Sequence, residues 1–260
     1  MSDDAAPPVR SPPDDGWWAG LRRLTAARIG LKMTGASLAT APLLDFQLAH
    51  ARARDAVHAP LDRARLAADI AGLGLPVMAV ASAVEDRQRY LMRPDLGRRL
   101  APDAEATLAP HQGSYDVVFV VTDGLSARAV QKHARPVLAG VLPQLRKDGW
   151  RIAPLVVVRH GRVAIGDAIA TVLHAECAVV LIGERPGLSA PDSMGAYLTW
   201  RPGAHTTDAD RNCISNIRPD GIGYADAGFK LAHLLRAMRA HRLSGVQLKD
   251  DSDPLLIGGR

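Results

Sequence analysis

The sequence predicts an α/β fold in which an N-terminal, mostly helical domain precedes a mostly parallel, Rossmann-like sheet with helices on both faces. Beyond about residue 105, short runs of Val, Leu and Ile alternate with longer segments of helical pattern. This alternation is typical of a mostly parallel sheet that is covered by helices on both faces. Before that residue, Ala, Leu, Arg and Gln dominate and little strand pattern is visible, which indicates helices.

Length and composition limit the class of protein. A chain of 260 residues, of which 47% are hydrophobic, can bury a sizeable core in one or two domains. No apolar run reaches the roughly 18 residues of a membrane span, and the polar N-terminus does not have the pattern of a signal peptide. Cys177 and Cys213 have neither metal-ligand spacing nor the density of a disulfide scaffold. We therefore expect a soluble, cytoplasmic protein without a membrane partner.

The positive net charge raises the question of nucleic acid binding. The formal charge is +5, but acidic residues are interleaved with basic ones along the whole chain, as on a solvated surface. Only 4% of the residues are aromatic, which leaves few platforms on which exposed bases could stack. We expect no nucleic acid partner.

The N-terminal part is predicted to contain a tail and a helical domain. Residues 1–16 hold several Pro and Asp residues and little apolar matter, so we predict a disordered tail. Residues 17–105 form the predicted helical domain. Its first segment, 17–31, has apolar residues at helical spacing and is either a helix on the protein's own core or one that docks on a partner or a membrane. A second helix is predicted from Thr40 to Pro60.

The predicted α/β domain occupies residues 106–260. A long loop is expected at 202–223, and loops of that length usually bind something. Asp167 is expected to cap a helix that runs to His174, and Gly245 is expected to stop the last helix. The strand at 196–200 is expected at a sheet edge because a proline follows it. Strands are predicted at 115–122, 152–158, 162–166, 178–182 and 196–200, and the two longer helices at 127–146 and 224–243.

Several common catalytic signatures are absent. Gly72 and Gly74 are followed by Val77 where the dinucleotide fingerprint requires a third glycine. The chain also contains no glycine-rich phosphate loop, no HExxH motif and no GxSxG elbow. A self-contained catalytic site is therefore hard to assemble, and we assign no catalytic residue and no metal ligand.

Polar loops follow the predicted strands at 123–126, 160–163, 183–187 and 211–216. On a parallel sheet some of these loops converge at one edge and could receive a polar, amide-bearing ligand or a partner surface. Each has a plainer alternative. Glu184 and Arg185 could form an ion pair with each other or at a helix end, Cys213 could be a small buried residue, and Asp123 could cap a helix instead of binding anything.

Eight motifs, in this order, resemble the small (light) subunit family of ethanolamine ammonia-lyase. They cover nearly everything after the tail, and GERPGL together with RNCISNI is the most specific combination. The motifs are TAARIG (25–30), FQLAHARARDAV (46–57), YLMRPDLGRRL (90–100), TDGLSA (122–127), RHGRVAIGD (159–167), GERPGL (183–188), RNCISNIRP (211–219) and LSGVQLK (243–249).

The resemblance implies one half of an adenosylcobalamin-dependent radical enzyme that converts ethanolamine to acetaldehyde and ammonia. In that family a large subunit, a TIM barrel, holds the substrate and most of the chemistry, and the small subunit closes over the cofactor as part of a hetero-oligomer. The cobalamin contacts of the family fall on Val163, Glu184 and Cys213. Some members carry a longer N-terminal extension linked to packaging in a bacterial microcompartment, so the short N-terminus leaves packaging open. The alternative is a stand-alone, non-catalytic α/β module that binds a corrinoid or a nucleotide.

Overall fold

The computed structural model describes residues 15–252, and these form two compact units that divide between Ala51 and Arg52. Most of the predicted disordered tail lies outside the described residues, and its last two residues begin the first helix. The domain boundary expected near residue 105 lies within the second unit. Among the residues that the structure describes, no helix combines the length and the apolar character needed to cross a membrane.

The first unit contains one short helix, a small hairpin and the start of a longer helix. The helix predicted for 17–31 is shorter than expected and ends at Arg22. Its last side chain explains the end, because the Arg22 guanidinium donates hydrogen bonds to the carbonyl oxygens of Ile29 and Gly30 at 3.0 and 2.6 Å. The chain after the helix is thereby folded back. The elements are α1 Asp15–Arg22, β1 Met33–Thr34, β2 Ser37–Leu38 and α2 Thr40–His58, whose last residues belong to the second unit.

The second unit is built on a six-stranded sheet. Its strands are β3 Val77–Ala81, β4 Tyr115–Thr122, β5 Leu155–Arg159, β6 Ala175–Gly183, β7 Met194–Trp200 and β8 Arg211–Ile217. They lie in the order β3-β5-β4-β6-β7-β8. The pairs among β3, β5, β4 and β6 are parallel, whereas β7 and β8 are added antiparallel. The sheet is therefore mostly parallel, as predicted.

Helices cover both faces of this sheet, which confirms the predicted fold class. Alternate residues of each buried strand point to opposite faces. In β4, Phe119 packs in the core with α3, α6 and α8, while Val120 packs in the core with α5 and α7. The helices are α3 Arg63–Ala71, α4 Arg87–Met92, α5 Pro102–Leu108, α6 Ala127–Lys147, α7 Ile165–Leu173 and α8 Tyr224–His241.

Two predicted strands differ from the structure. The strand predicted at 162–166 was wrong, since Val163 lies in a turn and α7 already begins at Ile165. Its short apolar run covers a turn at 163–164 and the first buried residues of α7, and periodicity alone does not distinguish such a run from a strand. Conversely, the apolar run 77–81 was not assigned to the sheet, yet it forms β3 and pairs in parallel with β5.

The predicted loop at 202–223 contains β8, so β7 is not the edge strand that the following proline indicated. The strand pattern in β8 is hidden by a bulge. Ile214 lies opposite Ala196 and Ile217 lies opposite Met194, so β8 has one more residue than β7 between these two pairs. The apolar residues consequently stand three apart instead of two.

Two helix-end assignments were also wrong. Asp167 is not the cap of α7, because Ala164 occupies that position and Asp167 lies inside the first turn. Gly245 does not stop α8. That helix ends at His241, where Arg242 takes a left-handed conformation with φ 56° and its amide donates to the carbonyl of Met238.

Candidate functional site

The candidate site is a cleft at the carboxyl ends of the parallel strands. After β4 the chain enters α6 on one face of the sheet, whereas after β5 it enters α7 on the other face. Connections that leave neighbouring strands toward opposite faces open a crevice between them, where open α/β sheets bind ligands. A cavity of about 430 Å³ lies here. It is lined by Tyr90, Leu125, Arg162, Val163, Ile182, Gly183, Glu184, Arg185 and Tyr197.

Val163 reaches this cleft from the turn between β5 and α7. The preceding residue anchors the turn, because the backbone amide of Arg162 donates to the carbonyl of Gly97 at 2.7 Å. The Arg162 guanidinium lies 4.1 Å from the centre of the Tyr90 ring and donates to the Tyr90 carbonyl at 3.0 Å. The Tyr90 hydroxyl in turn donates to the carbonyl of Gly161 at 3.1 Å. The turn that carries Val163 is therefore fixed to α4 from both sides.

A buried polar cluster supports the floor of the cleft. Asp123 is 2% exposed and accepts a hydrogen bond from the backbone amide of His160 at 2.7 Å. Arg87 donates to the carbonyl of Gly124 at 2.7 Å and lies 3.5 Å from the Asp123 carboxylate. Burial raises the pKa of Asp123, and the adjacent His160 and Arg87 oppose that shift. Asp123 thus neither caps α6 nor lines the cavity; it joins the exits of β4 and β5.

Two glycines allow the loops to approach each other. The amide of Leu125 donates to the carbonyl of Gly183 at 2.9 Å, so the exit loop of β4 lies directly on the end of β6. A Cβ atom on Gly183 would meet the carbonyl oxygens of Ser126 and Asp123. Gly124 adopts φ +53°, a conformation that side chains rarely take. This close contact forms one wall of the cleft.

Glu184 is held at the end of β6 by the bulged strand β8. Both of its carboxylate oxygens lie 3.2 Å from the backbone amide of Asn216, which adopts φ 58°. The Glu184 amide donates to the carbonyl of Ser193 at 3.0 Å. Glu184 and Arg185 do not pair with each other. The exposed side chain of Arg185 lies at the cavity instead.

Cys213 lies one strand away from the cavity wall, on β8. It is exposed, so the alternative of a small buried residue was wrong for Cys213. Its sulfur lies 3.2 Å from the Ser215 hydroxyl, and it stands opposite Tyr197 in the sheet. Burial raises the pKa of Tyr197 to about 12, and the neighbouring Cys213 and Glu184 act in the same direction. Tyr197 therefore lies between Glu184 and Cys213, two of the three predicted cofactor contacts.

The structure brings Val163 and Glu184 into one cleft and places Cys213 beside it. Sequence reasoning missed Tyr90 and Tyr197 of the lining, whereas Arg162 stands in the loop 160–163 that was expected to meet a ligand. Tyr197 lies on a strand whose antiparallel register cannot be read from a single chain. Arg162 stood inside a recognised motif, but its contact with Tyr90 joins residues 72 positions apart.

The chemistry of the lining suits an organic ligand with polar groups. Leu125, Val163 and Ile182 offer apolar surface, Glu184 offers hydrogen-bond acceptors and Arg185 offers donors. Among the described residues, no group of three or more His, Cys, Asp or Glu side chains could hold a metal ion.

The fold and the cleft define an α/β protein with a ligand-sized crevice at the carboxyl edge of its sheet. The family described as "Ethanolamine ammonia-lyase light chain (EutC)" matches residues 15–249. The chain belongs to this family.

Three similar proteins carry the same name. The "Ethanolamine ammonia-lyase small subunit" of Azotobacter vinelandii is 51% identical over 254 residues, covering 96% of this chain and 94% of the relative. The protein of the same name from Xanthomonas campestris pv. campestris is 52% identical over 252 residues, covering 95% and 92%. That of Ralstonia nicotianae is 52% identical over 248 residues, covering 94% and 92%.

Proposed function

We propose that this chain is the small subunit of an adenosylcobalamin-dependent ethanolamine ammonia-lyase, and that its cleft faces the cobalamin at the interface with a large catalytic subunit. The observation that carries the proposal is the convergence of three separate motifs. Val163 and Glu184 line the same cavity, and Cys213 lies on the strand opposite Tyr197 of that cavity. Membership in the light chain family supports the subunit role.

The residues fit one side of such a cofactor. A cavity of about 430 Å³ is in the range of sites for drug-sized ligands and is too small to enclose a corrin. The Glu184 carboxylate uses part of its acceptor capacity on the Asn216 amide and retains lone pairs for an amide N–H of a ligand. Val163 and Leu125 present apolar surface beside it. The chain would therefore cover one side of the cofactor while its partner covers the other.

We infer a division of labour between the cofactor, this chain and the large subunit. Adenosylcobalamin supplies the radical chemistry when it is bound, and the protein supplies binding and orientation. Glu184 would accept hydrogen bonds from the cofactor's periphery, Val163 would pack against it, and Cys213 would contact it from β8. The substrate ethanolamine and its conversion to acetaldehyde and ammonia belong to the large subunit. We propose a cytoplasmic hetero-oligomer, with or without microcompartment packaging.

The test is a cofactor titration of the complex reconstituted from both subunits. Glu184→Ala should raise the dissociation constant of adenosylcobalamin about tenfold, the effect of about 1.4 kcal/mol, because an anchored acceptor is lost. Glu176→Ala is the matched control, since Glu176 lies at the other end of β6 and pairs with Arg201 on the surface. Equal affinities of the two variants would refute the assignment of Glu184.

The same titration addresses the alternative of a stand-alone corrinoid- or nucleotide-binding module. Such a module would bind its ligand with full affinity in the absence of the large subunit. Saturable binding of adenosylcobalamin or a nucleotide to the isolated chain, unchanged when the large subunit is added, would favour the module and contradict the proposed subunit role.

A further inference from the structure

Asp167 and Arg211 form a buried ion pair between α7 and β8. Two guanidinium nitrogens of Arg211 lie 2.7 and 2.6 Å from the two carboxylate oxygens of Asp167, a bidentate arrangement. The Arg211 side chain is 3% exposed and the Asp167 side chain is 11% exposed. The Thr199 hydroxyl accepts a third hydrogen bond from Arg211 at 3.0 Å. The exposed Asp208 carboxylate lies 3.6 Å from the remaining guanidinium nitrogen, which has no hydrogen-bond partner in the described part of the chain.

The position of this pair is informative. Asp167 follows Val163 by four residues in the first turn of α7, and Arg211 precedes Cys213 by two residues on β8. The pair is therefore the direct side-chain link between the turn that carries one proposed cofactor contact and the strand that carries another. The strands next to these segments, β5 and β8, are separated by three other strands of the sheet and do not touch.

A purely stabilising role is a poor account of this pair. Two charges taken out of water lose hydration that their attraction roughly repays, so buried ion pairs contribute little net stability compared with apolar side chains. What a bidentate pair fixes is geometry, because both hydrogen bonds form only at one relative orientation of the two side chains. Here that orientation sets the distance from the α7 turn to β8.

We propose that Asp167 and Arg211 are positioning residues for the cobalamin cleft: they hold Val163 and Cys213 at the separation that the cofactor requires. This inference rests on the proposed function. It concerns residues that do not line the cofactor cavity and act on it only through the segments they join.

The experiment uses the reconstituted complex with Arg211→Lys, which keeps the charge and loses the bidentate fork. Thr199→Val is a second, milder variant, because it removes only the third hydrogen bond and leaves the pair intact. Removing Arg211 entirely would bury an unpaired carboxylate and endanger folding, so it is avoided. We expect Arg211→Lys to raise both the dissociation constant and the apparent KM of adenosylcobalamin roughly tenfold, because the restraint on the separation of Val163 and Cys213 is weakened by the loss of a charged hydrogen bond. We expect kcat at saturating cofactor to stay unchanged.

A readout independent of turnover accompanies the kinetics. Hydrogen exchange should accelerate in the peptides 161–167 and 211–217 of Arg211→Lys in the absence of cofactor, because their mutual restraint is weakened. Thr199→Val should show the same changes to a smaller degree. Exchange rates and cofactor affinity that both match the unsubstituted complex would overturn the proposal.

Asp116→Asn supplies the matched control for stability. Asp116 also makes two hydrogen bonds to one arginine, accepting from the amide and the guanidinium of Arg151 at 2.7 and 3.0 Å, but at the amino end of β4. It should lower the midpoint of thermal unfolding without moving the KM of the cofactor. If Asp116→Asn raised the KM as much as Arg211→Lys at the same loss of stability, the effect of Arg211→Lys would be explained by general destabilisation, and the positioning role would fail. If Glu184→Ala weakens binding and Arg211→Lys does not, only the positioning role fails; if Glu184→Ala has no effect, the proposed function itself fails.

Discussion

At the scale of single residues, the cleft depends on a left-handed backbone conformation that residues other than glycine rarely adopt. Asn216 adopts φ 58° at the bulge of β8 and thereby aims its amide at the Glu184 carboxylate. Asparagine tolerates the left-handed region better than most residues, because its short polar side chain can bond locally. Here that side chain accepts a hydrogen bond from Arg218 at 2.9 Å. Asn216 therefore has a structural role of its own, which is to orient the Glu184 carboxylate.

His133 provides a residue-scale prediction for the dependence of stability on pH. Its ring is fully buried in α6, one ring nitrogen lies 2.8 Å from the Tyr224 hydroxyl, and burial lowers its pKa below 6.5. The folded state therefore binds this proton less readily than the unfolded state. The free energy of unfolding should be fully maintained above about pH 6.5 and should fall as the pH drops through the lowered folded pKa.

Denaturant unfolding of the chain between pH 8 and 5 measures this effect. His133→Gln should flatten the decline in the free energy of unfolding over that range, while His241→Gln, at the exposed end of α8, should leave it in place. A decline of the same slope in His133→Gln would show that another group is responsible.

At the scale of elements, the walls of the cleft are set by the close approach of two loops at Gly183. Gly183→Ala should destabilise the chain by about 1–3 kcal/mol, since its Cβ would meet the carbonyl oxygens of Ser126 and Asp123 and force the loops apart. Gly187 lies in the same loop after β6, and its nearest neighbour would be 3.9 Å from an added Cβ, so Gly187→Ala is the control. Urea unfolding of both variants is the measurement. A Gly183 variant as stable as the Gly187 variant would contradict the described packing.

The sequence predicts the central elements well and the peripheral ones poorly. The bounds predicted for β4 and α6 agree with the structure to within one residue, and only the middle of β6 was predicted. The two strands carry buried apolar runs, and α6 carries an amphipathic helical pattern. The residues of β8 were predicted to be a loop, because the bulge interrupts the alternation of apolar and polar residues and one face of the strand is polar. The short run 162–166 was mistaken for a strand, since four or five apolar residues satisfy a strand and a helix turn equally.

The site was predictable to the same extent. Some of the polar loops were expected to converge at one sheet edge, and those at 123–126, 160–163 and 183–187 all contribute residues to the cavity. Tyr90 was not expected there. It comes from α4, before β4, and its contact with Arg162 depends on the tertiary packing of a helix that single-sequence patterns do not position. The ion pair between Asp167 and Arg211 could not be predicted from the sequence for the same reason, because the two residues are 44 positions apart.

At the scale of the whole molecule, the chain is a member of the light chain family, and we propose that its cleft is one wall of a cofactor site. Buried clusters fix the positions of the loops around it, and its lining has apolar, acidic and basic groups. We propose that the other wall belongs to a large subunit, so that neither chain alone forms the complete site. Cofactor binding would then be a property of the pair of subunits.

Equilibrium dialysis of adenosylcobalamin against the large subunit alone, this chain alone and the reconstituted pair tests that claim most directly. The account predicts tight, saturable binding only by the pair, and a loss of affinity when the pair contains Glu184→Ala. A large subunit that bound the cofactor with the full affinity of the pair, in the absence of this chain, would contradict it.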